Sequence, residues 1–452
     1  MELEKGGVPT AIMCTQGFDV LGRRQAIGRG VPALPLVTIP EYFGMSNDEL
    51  RGWADRVVGD IVEALSKPRQ LLMEKAARHI NQNGLASGAA QARELQNVSV
   101  EPDAASATDA FRERGWTDGL PILPPTREAV DRMLTHADRA PDEVIAKVAT
   151  RWGKATVEKI AVNAVMAGCR PEYMPVLIAA VRAITDPAFN LTAVQATTNP
   201  VAPLLIVNGP VAQAIGMNSR FNAFGQGSQA NATIGRALRL VMINVGGGHP
   251  EATDRAIQGQ PAKYTFCVAE NEAESPWDPL HVERGLERGA SAVTAVAVMG
   301  FHAWASAVHT LETGSAESLV STMSGAMAAM GVNNVQYAGV TLLVLNPYHA
   351  SILARSGYSK DRLKQELFER GRIPVSRYHP LEITKLRKMR PTINWDDPRT
   401  MIPMTDRWED IMVTVIGAGG VHGIVLPSYG RPSTPVTRAV AVRSARARSS
   451  GT

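Results

Sequence analysis

The sequence predicts an α/β protein in two unequal parts: a small, incomplete N-terminal βαβα unit, and a larger α/β domain with a weak internal strand-turn-helix repeat. Three observations carry this. Short apolar runs at 8–14 and 34–40 are each followed by helix-like periodicity. Leu204-Leu-Ile-Val-Asn-Gly-Pro210 and Leu342-Leu-Val-Leu-Asn-Pro347 both pass from apolar strand through an asparagine turn into a helix, stopped by Gly216 and Gly357. A third apolar run, Ile411 to Ile416, ends in Gly417-Ala-Gly-Gly-Val-His-Gly423. These turns gather at one sheet edge, where α/β proteins bind ligands.

Taken in order, residues 1–67 form the βαβα unit, whose second helix starts at Ser46 with Glu49 three residues on, a capping-box pattern, and continues through Trp53, Val57, Ile61 and Leu65. Two strands make too small a parallel sheet to stand alone, so further strands are expected to pair with them. Residues 68–105 read as a helix over 70–95 followed by a polar linker. The large domain spans 106–438. It opens on the extended Asp118-Gly-Leu-Pro-Ile-Leu-Pro-Pro-Thr126, with Thr126 capping a helix, and continues with a helix from Thr156 to Gly168 and a third through Ile184. Residues 439–452 form a basic tail.

Composition excludes several function classes. The 452 residues are 45% apolar, enough for two or three cores, and their net charge of +4 falls to −1 without the five arginines that follow Asp410. So neutral a body, with 5% aromatic residues, argues against a nucleic-acid partner. The most apolar long window, 290–307, is broken by His302, so no membrane partner is expected, and that histidine reads as core. Three cysteines, Cys14, Cys169 and Cys267, form no disulfide framework and fit a reducing cytoplasm.

The candidate chemistry lies in three places. Phe224-Gly-Gln-Gly-Ser-Gln-Ala-Asn231 puts Gly225 and Gly227 before a helix capped by Ser228 or Asn231. Its free N–H groups suit an anion and Arg236 could add charge, although an ordinary capped helix fits as well. The turn matches no nucleotide fingerprint, and neither does Gly417–Gly423, where His422 replaces the third glycine. Gly247, within Gly246-Gly-Gly-His249, allows close backbone approach. Lys263 to Trp277 is the densest polar cluster: a strand over 264–269 would leave Cys267, Glu270, Glu272 and, further on, His281 together as nucleophile and acid-base groups, as a metal set, or as a solvated acidic loop. Cys14 ends a strand before a helix and Cys169 precedes Pro171 at a similar helix start, positions where a helix N-terminus can lower a thiol's pKa, although a buried, inert cysteine is the commoner outcome for each.

The opening Met-Glu-Leu-Glu-Lys-Gly-Gly-Val-Pro-Thr-Ala-Ile-Met-Cys14, with Leu34-Pro-Leu-Val-Thr-Ile-Pro40, resembles the UGSC family over about residues 1–66. The remainder resembles the uncharacterised domain found joined to it. The resemblance implies redox or thiol chemistry from a selenocysteine- or Cys-Gly-Ser-Cys motif. That motif would stand before Met1 and is absent from the chain, so either an internal methionine opens the sequence or the lineage lacks the motif.

The expectation is a cytoplasmic, homo-oligomeric enzyme acting on a small anionic organic substrate, with thiol or redox chemistry and with cofactor and metal unspecified. Gly225, Gly227, Asn231, Arg236, Gly247 and Lys263 would bind the substrate, while Cys267, Glu270, His281 and Cys14 would carry the chemistry. Replacing Glu270 or Cys267 is expected to abolish turnover and to change stability by less than about 1 kcal/mol, as at a surface site. The alternative is a non-catalytic small-molecule-binding or assembly protein.

Overall fold

The computed structural model describes residues 2–40, 45–67, 71, 72, 74, 97–101, 103–308 and 310–441. The expected helix over 70–95 and most of the basic tail lie outside the described residues.

In the N-terminal unit, β1 (Ile12–Thr15) and β2 (Leu36–Ile39) pair in parallel, and among the described residues no third strand joins them. Ala26, Val31 and Leu34 form a small core against Ile12 and Leu36. The capping box is present: Ser46 Oγ accepts from Glu49 N and Glu49 Oε2 accepts from Ser46 N at 2.7 Å. The unit leans on the larger body instead of on further strands. Gln25 Nε2 donates to Thr150 O at 3.1 Å, Trp152 Nε1 to Gln25 Oε1 at 3.2 Å, and Arg24 to Thr253 Oγ1.

The larger body begins with helices capped by Asp103 and Thr126 and a hairpin of β3 (Val144–Val148) and β4 (Gly153–Thr156). The next helix, Val157–Ala167, runs from the Thr156 cap to Gly168 at φ 87°. The chain then supplies β5 (Ala202–Asn208), β6 (Cys267–Ala269), β7 (Ala292–Val298), β8 (His302–Ala305), β9 (Thr341–Leu345), β10 (Arg372–Pro374), β11 (Met401–Pro403), β12 (Ile411–Val415), β13 (His422–Pro427) and β14 (Val436–Ala439).

Eight of these strands build two four-stranded sheets, ordered β14-β7-β5-β6 and β8-β13-β9-β12. Their pairing is the same, antiparallel, antiparallel, then parallel, so the repeat seen in the sequence is a structural duplication. Each half nevertheless borrows its outer strand. The chain leaves β7 in the first sheet and enters β8 in the second, then leaves β13 in the second and enters β14 in the first.

The sheets stack face to face in a helix-sheet-sheet-helix arrangement. Leu204, Ile206, Val268 and Val296 meet Leu342, Val344, Met412 and Leu426 between them. Alternate residues face outward, as a period of two requires: Leu205, Val207 and Ala295 pack under the helices Val157–Ala167, Met174–Ile184 and Gln229–Asn244, and Leu343, Leu345 and Val413 under Ser315–Met327, Pro347–Arg355 and Lys360–Arg370. Burial on both faces explains why these strands are unbroken apolar runs. Val440 is buried and donates to Ser291 O, while Arg431 and Arg438 pair with Asp406 and Asp186, so the packed chain continues past residue 438.

Candidate functional site

The parallel pairs β5/β6 and β9/β12 end on equivalent hydrogen bonds: Glu270 N donates to Val207 O and Ile416 N to Leu345 O. Glu270 therefore holds the place that the second half fills with Ile416, a residue of the core between the sheets. Glu270 is 4% exposed. Its Oε2 accepts from Asn208 Nδ2 at 2.6 Å and Leu280 N at 2.7 Å. Asn208 Nδ2 is shared with Glu272 Oε1 at 2.9 Å, and that oxygen also accepts from Gly209 N at 2.7 Å. Beside this pair, Asn271 ties the halves together, donating from its backbone to Val415 O and from Nδ2 to Gly417 O.

Two buried atoms of this cluster, Glu270 Oε1 and Asn208 Oδ1, lack a partner, as does His281 Nδ1. His281, next to Leu280 and fully buried, has Nε2 against Arg288 O at 3.2 Å, so that nitrogen donates and Nδ1 is left as an acceptor. All three orphans are acceptors. Glu270 and Glu272 are thus joined through Asn208, a member that sequence reasoning missed, while His281 stands one residue beyond Leu280, whose N–H bonds Glu270.

The residues assigned to an anion are otherwise engaged. Arg236 grips Asp118 with two bonds of 2.8 and 2.9 Å and donates to Pro121 O. Lys263 pairs with Asp254 at 2.6 Å. Ser228 is the helix cap, while Asn231 bonds Asn218 and Ala223 and so pins the preceding loop. A side chain at Gly225 would meet the Asn222 amide, and Gly227 has φ 120°. Gly247, at φ 75°, lies against Arg151, in a turn where Gly246 O accepts from Thr150 N and Arg151 N at 2.7 and 2.8 Å. These residues close the fold on itself.

The N-terminal unit places Cys14 at the end of β1, packed near Gly22. Residues 1–67 match the UGSC family. No curated protein and no solved structure matches the chain. Over the matched residues, burial and then the charge of Asp19 raise the Cys14 pKa, in line with a buried thiol and against lowering by the helix N-terminus, with Arg23 offsetting in part. Cys169, whose Sγ donates to Thr233 O, is pushed up to about 12, chiefly by burial. Cys267 is raised further by burial, for its side chain points into the helix-covered core while Glu270 takes the inter-sheet side. Raised pKa values mean less thiolate at pH 7. Iodoacetamide at pH 7 is therefore expected to label all three cysteines more slowly than a free thiol, with half-buried Cys14 reacting first as the pH rises. Rapid labelling of any one, read by peptide mass, would contradict this.

The buried setting of Glu270 and Cys267 also overturns the surface-like tolerance expected of their variants. Among the described residues, no group of three or more His, Cys, Asp or Glu is placed to hold a metal ion. None of the helices among them is long and apolar enough to cross a membrane. His302, expected in the core, is exposed on β8.

In the second half Asn346, the counterpart of Asn208, caps a helix through His349 N and donates to His422 O at 2.7 Å and to His349 Nδ1 at 2.9 Å. Burial, and then the charge of His422, hold His349 down at about 4. An unfolded histidine titrates near 6.5, so between these values the unfolded chain takes up the proton and the folded chain does not. The contribution is complete above about pH 6.5 and is lost as the pH falls toward 4. Denaturant titrations at pH 7 and 4.5 are expected to show the wild type losing roughly 2 kcal/mol more than His349→Gln. Equal losses would refute it.

Proposed function

We propose that the chain is an enzyme working on a small organic substrate at the ends of β5 and β6, with Glu270 as general base, Asn208 positioning it, and His281 as a second proton acceptor. One observation carries this reading: Glu270 stands at a position that the duplicate half fills with Ile416, and its Oε1 is buried without a partner. A carboxylate in a core position costs several kcal/mol unless fully hydrogen-bonded, so such a departure from the repeat supports a role beyond packing. Because the free atoms are acceptors, the fitting substrate presents a hydroxyl or amine donor. Arg236 and Lys263 being paired, the anionic part of the expectation rests on no free cation here, and the raised cysteines do not support thiol chemistry.

The test is a thermal-shift panel of amines, alcohols, hydroxy acids and amino acids against wild type, Glu270→Gln and Glu270→Ile, the last copying the second half. One class is expected to raise the wild-type Tm and to leave both folded variants unmoved. A panel that stabilises all three alike, or none, would overturn the reading. Consumption of the stabilising compound by wild type alone supports an enzyme; binding without consumption supports a small-molecule-binding protein. The free cysteines support a reducing, cytoplasmic setting, and exposed Val58, Val62 and Leu65 on one helix support self-association.

A further inference from the structure

A second place in the fold has buried, unserved polarity, of the opposite kind. His349 is fully buried in the first turns of the helix Pro347–Arg355, and Trp304, 7% exposed, lies on β8 with its ring stacked on the imidazole, centroids 5.2 Å apart at 13°. Gly423 permits this, since a side chain there would run into the Trp304 ring. The tautomer is fixed by its neighbours. Asn346 Oδ1 accepts from His349 N, so Nδ2 must be the amide atom that faces His422 O and His349 Nδ1. His349 Nδ1 is then an acceptor, and a neutral ring carries its hydrogen on Nε2. That Nε2–H has no hydrogen-bond partner, and neither has Trp304 Nε1–H; the Val308 backbone favours protonation of the ring slightly without completing a bond.

Two stacked rings thus hold two buried donors, neither of which completes a hydrogen bond. Buried donors are nearly always satisfied, and leaving one bare costs about 1–3 kcal/mol. Among the described residues the titratable group acting on the imidazole is His422, and no acid is seen to do so. Beside it the Gly417–Gly420 turn runs under exposed Tyr348, whose ring Gly419 abuts. We infer that His349 Nε2–H and Trp304 Nε1–H form a binding site for an anionic oxygen, a small carboxylate in the first instance. The site belongs to the second half and stands whether or not Glu270 is catalytic.

Formate is the probe. In the full-length protein labelled with nitrogen-15, the Trp304 indole N–H signal, assigned by its loss in Trp304→Phe, is expected to move saturably with formate, and the half-point in His349→Phe to rise at least tenfold, about 1.4 kcal/mol. Inorganic phosphate in place of formate reads the size of the site: weaker binding supports a carboxylate, and tighter binding overturns that choice. If His349→Phe does not fold, the His349 ring proton followed in Trp304→Phe gives the same readout. A drift linear in salt and equal in both proteins would overturn the inference, leaving water as the partner of both donors.

Discussion

Gly209→Ala is expected to lower stability by about 4 kcal/mol or more. Gly209 has φ 81° and ψ −172°, a region essentially closed to residues with a side chain. An added Cβ would also press on Ala290 O and come within 2.8 Å of Ser291 Cα, which is backbone and cannot rotate away. The same residue donates its N–H to Glu272, so any shift that relieves the clash disturbs the carboxylate cluster. Gly216→Ala is the control: φ is 68° and no atom lies within 4 Å, so it should cost only about 1–2 kcal/mol. Denaturant unfolding of both variants decides; equal losses would show that crowding at Ala290 is not what fixes Gly209.

Arg236→Ala is expected to cost about 3–4 kcal/mol, and Asp118→Ala a similar amount, with the double variant well short of the sum. The Asp118 side chain is 3% exposed and that of Arg236 16%, so either one alone would be left as a buried, unpaired charge. Arg236 also holds Pro121 O and thereby anchors the extended segment between the first two helices of the larger body. If Arg236 instead served a bound anion, its removal would weaken binding and barely move the unfolding midpoint.

The strands most legible in the sequence are those buried on both faces. Leu204–Val207 and Leu342–Leu345 could be read, and their Asn turns exposed the duplication, because no polar residue interrupts them. The outer strands were not legible. β8 carries exposed His302 and β14 carries Arg438, and strands with one open side look like loops when read alone. At the site, Glu270, Glu272 and His281 stood out as polar residues after a strand, but Asn208 read only as the turn residue between a strand and a helix, as Asn346 does. Only the matching bonds to Val207 O and Leu345 O reveal that Glu270 answers to Ile416. Arg236 was misread for a related reason: its partner, Asp118, lies far back in the chain, and spacing along a sequence says nothing about such a pair.

The crossing of β8 and β14 between the sheets has a consequence for how this chain is made. As it leaves the ribosome, β7 emerges long before β14, the strand that will cover its open edge, and β8 emerges before β13, the strand it must find. Neither half can mature by itself, so nascent chains hold unpaired sheet edges until β13 and β14 have emerged, the condition in which neighbouring copies trade strands. Two polypeptides that exchanged these strands would reproduce every pairing seen within one, and a domain-swapped dimer is the misassembly to which this architecture is most exposed.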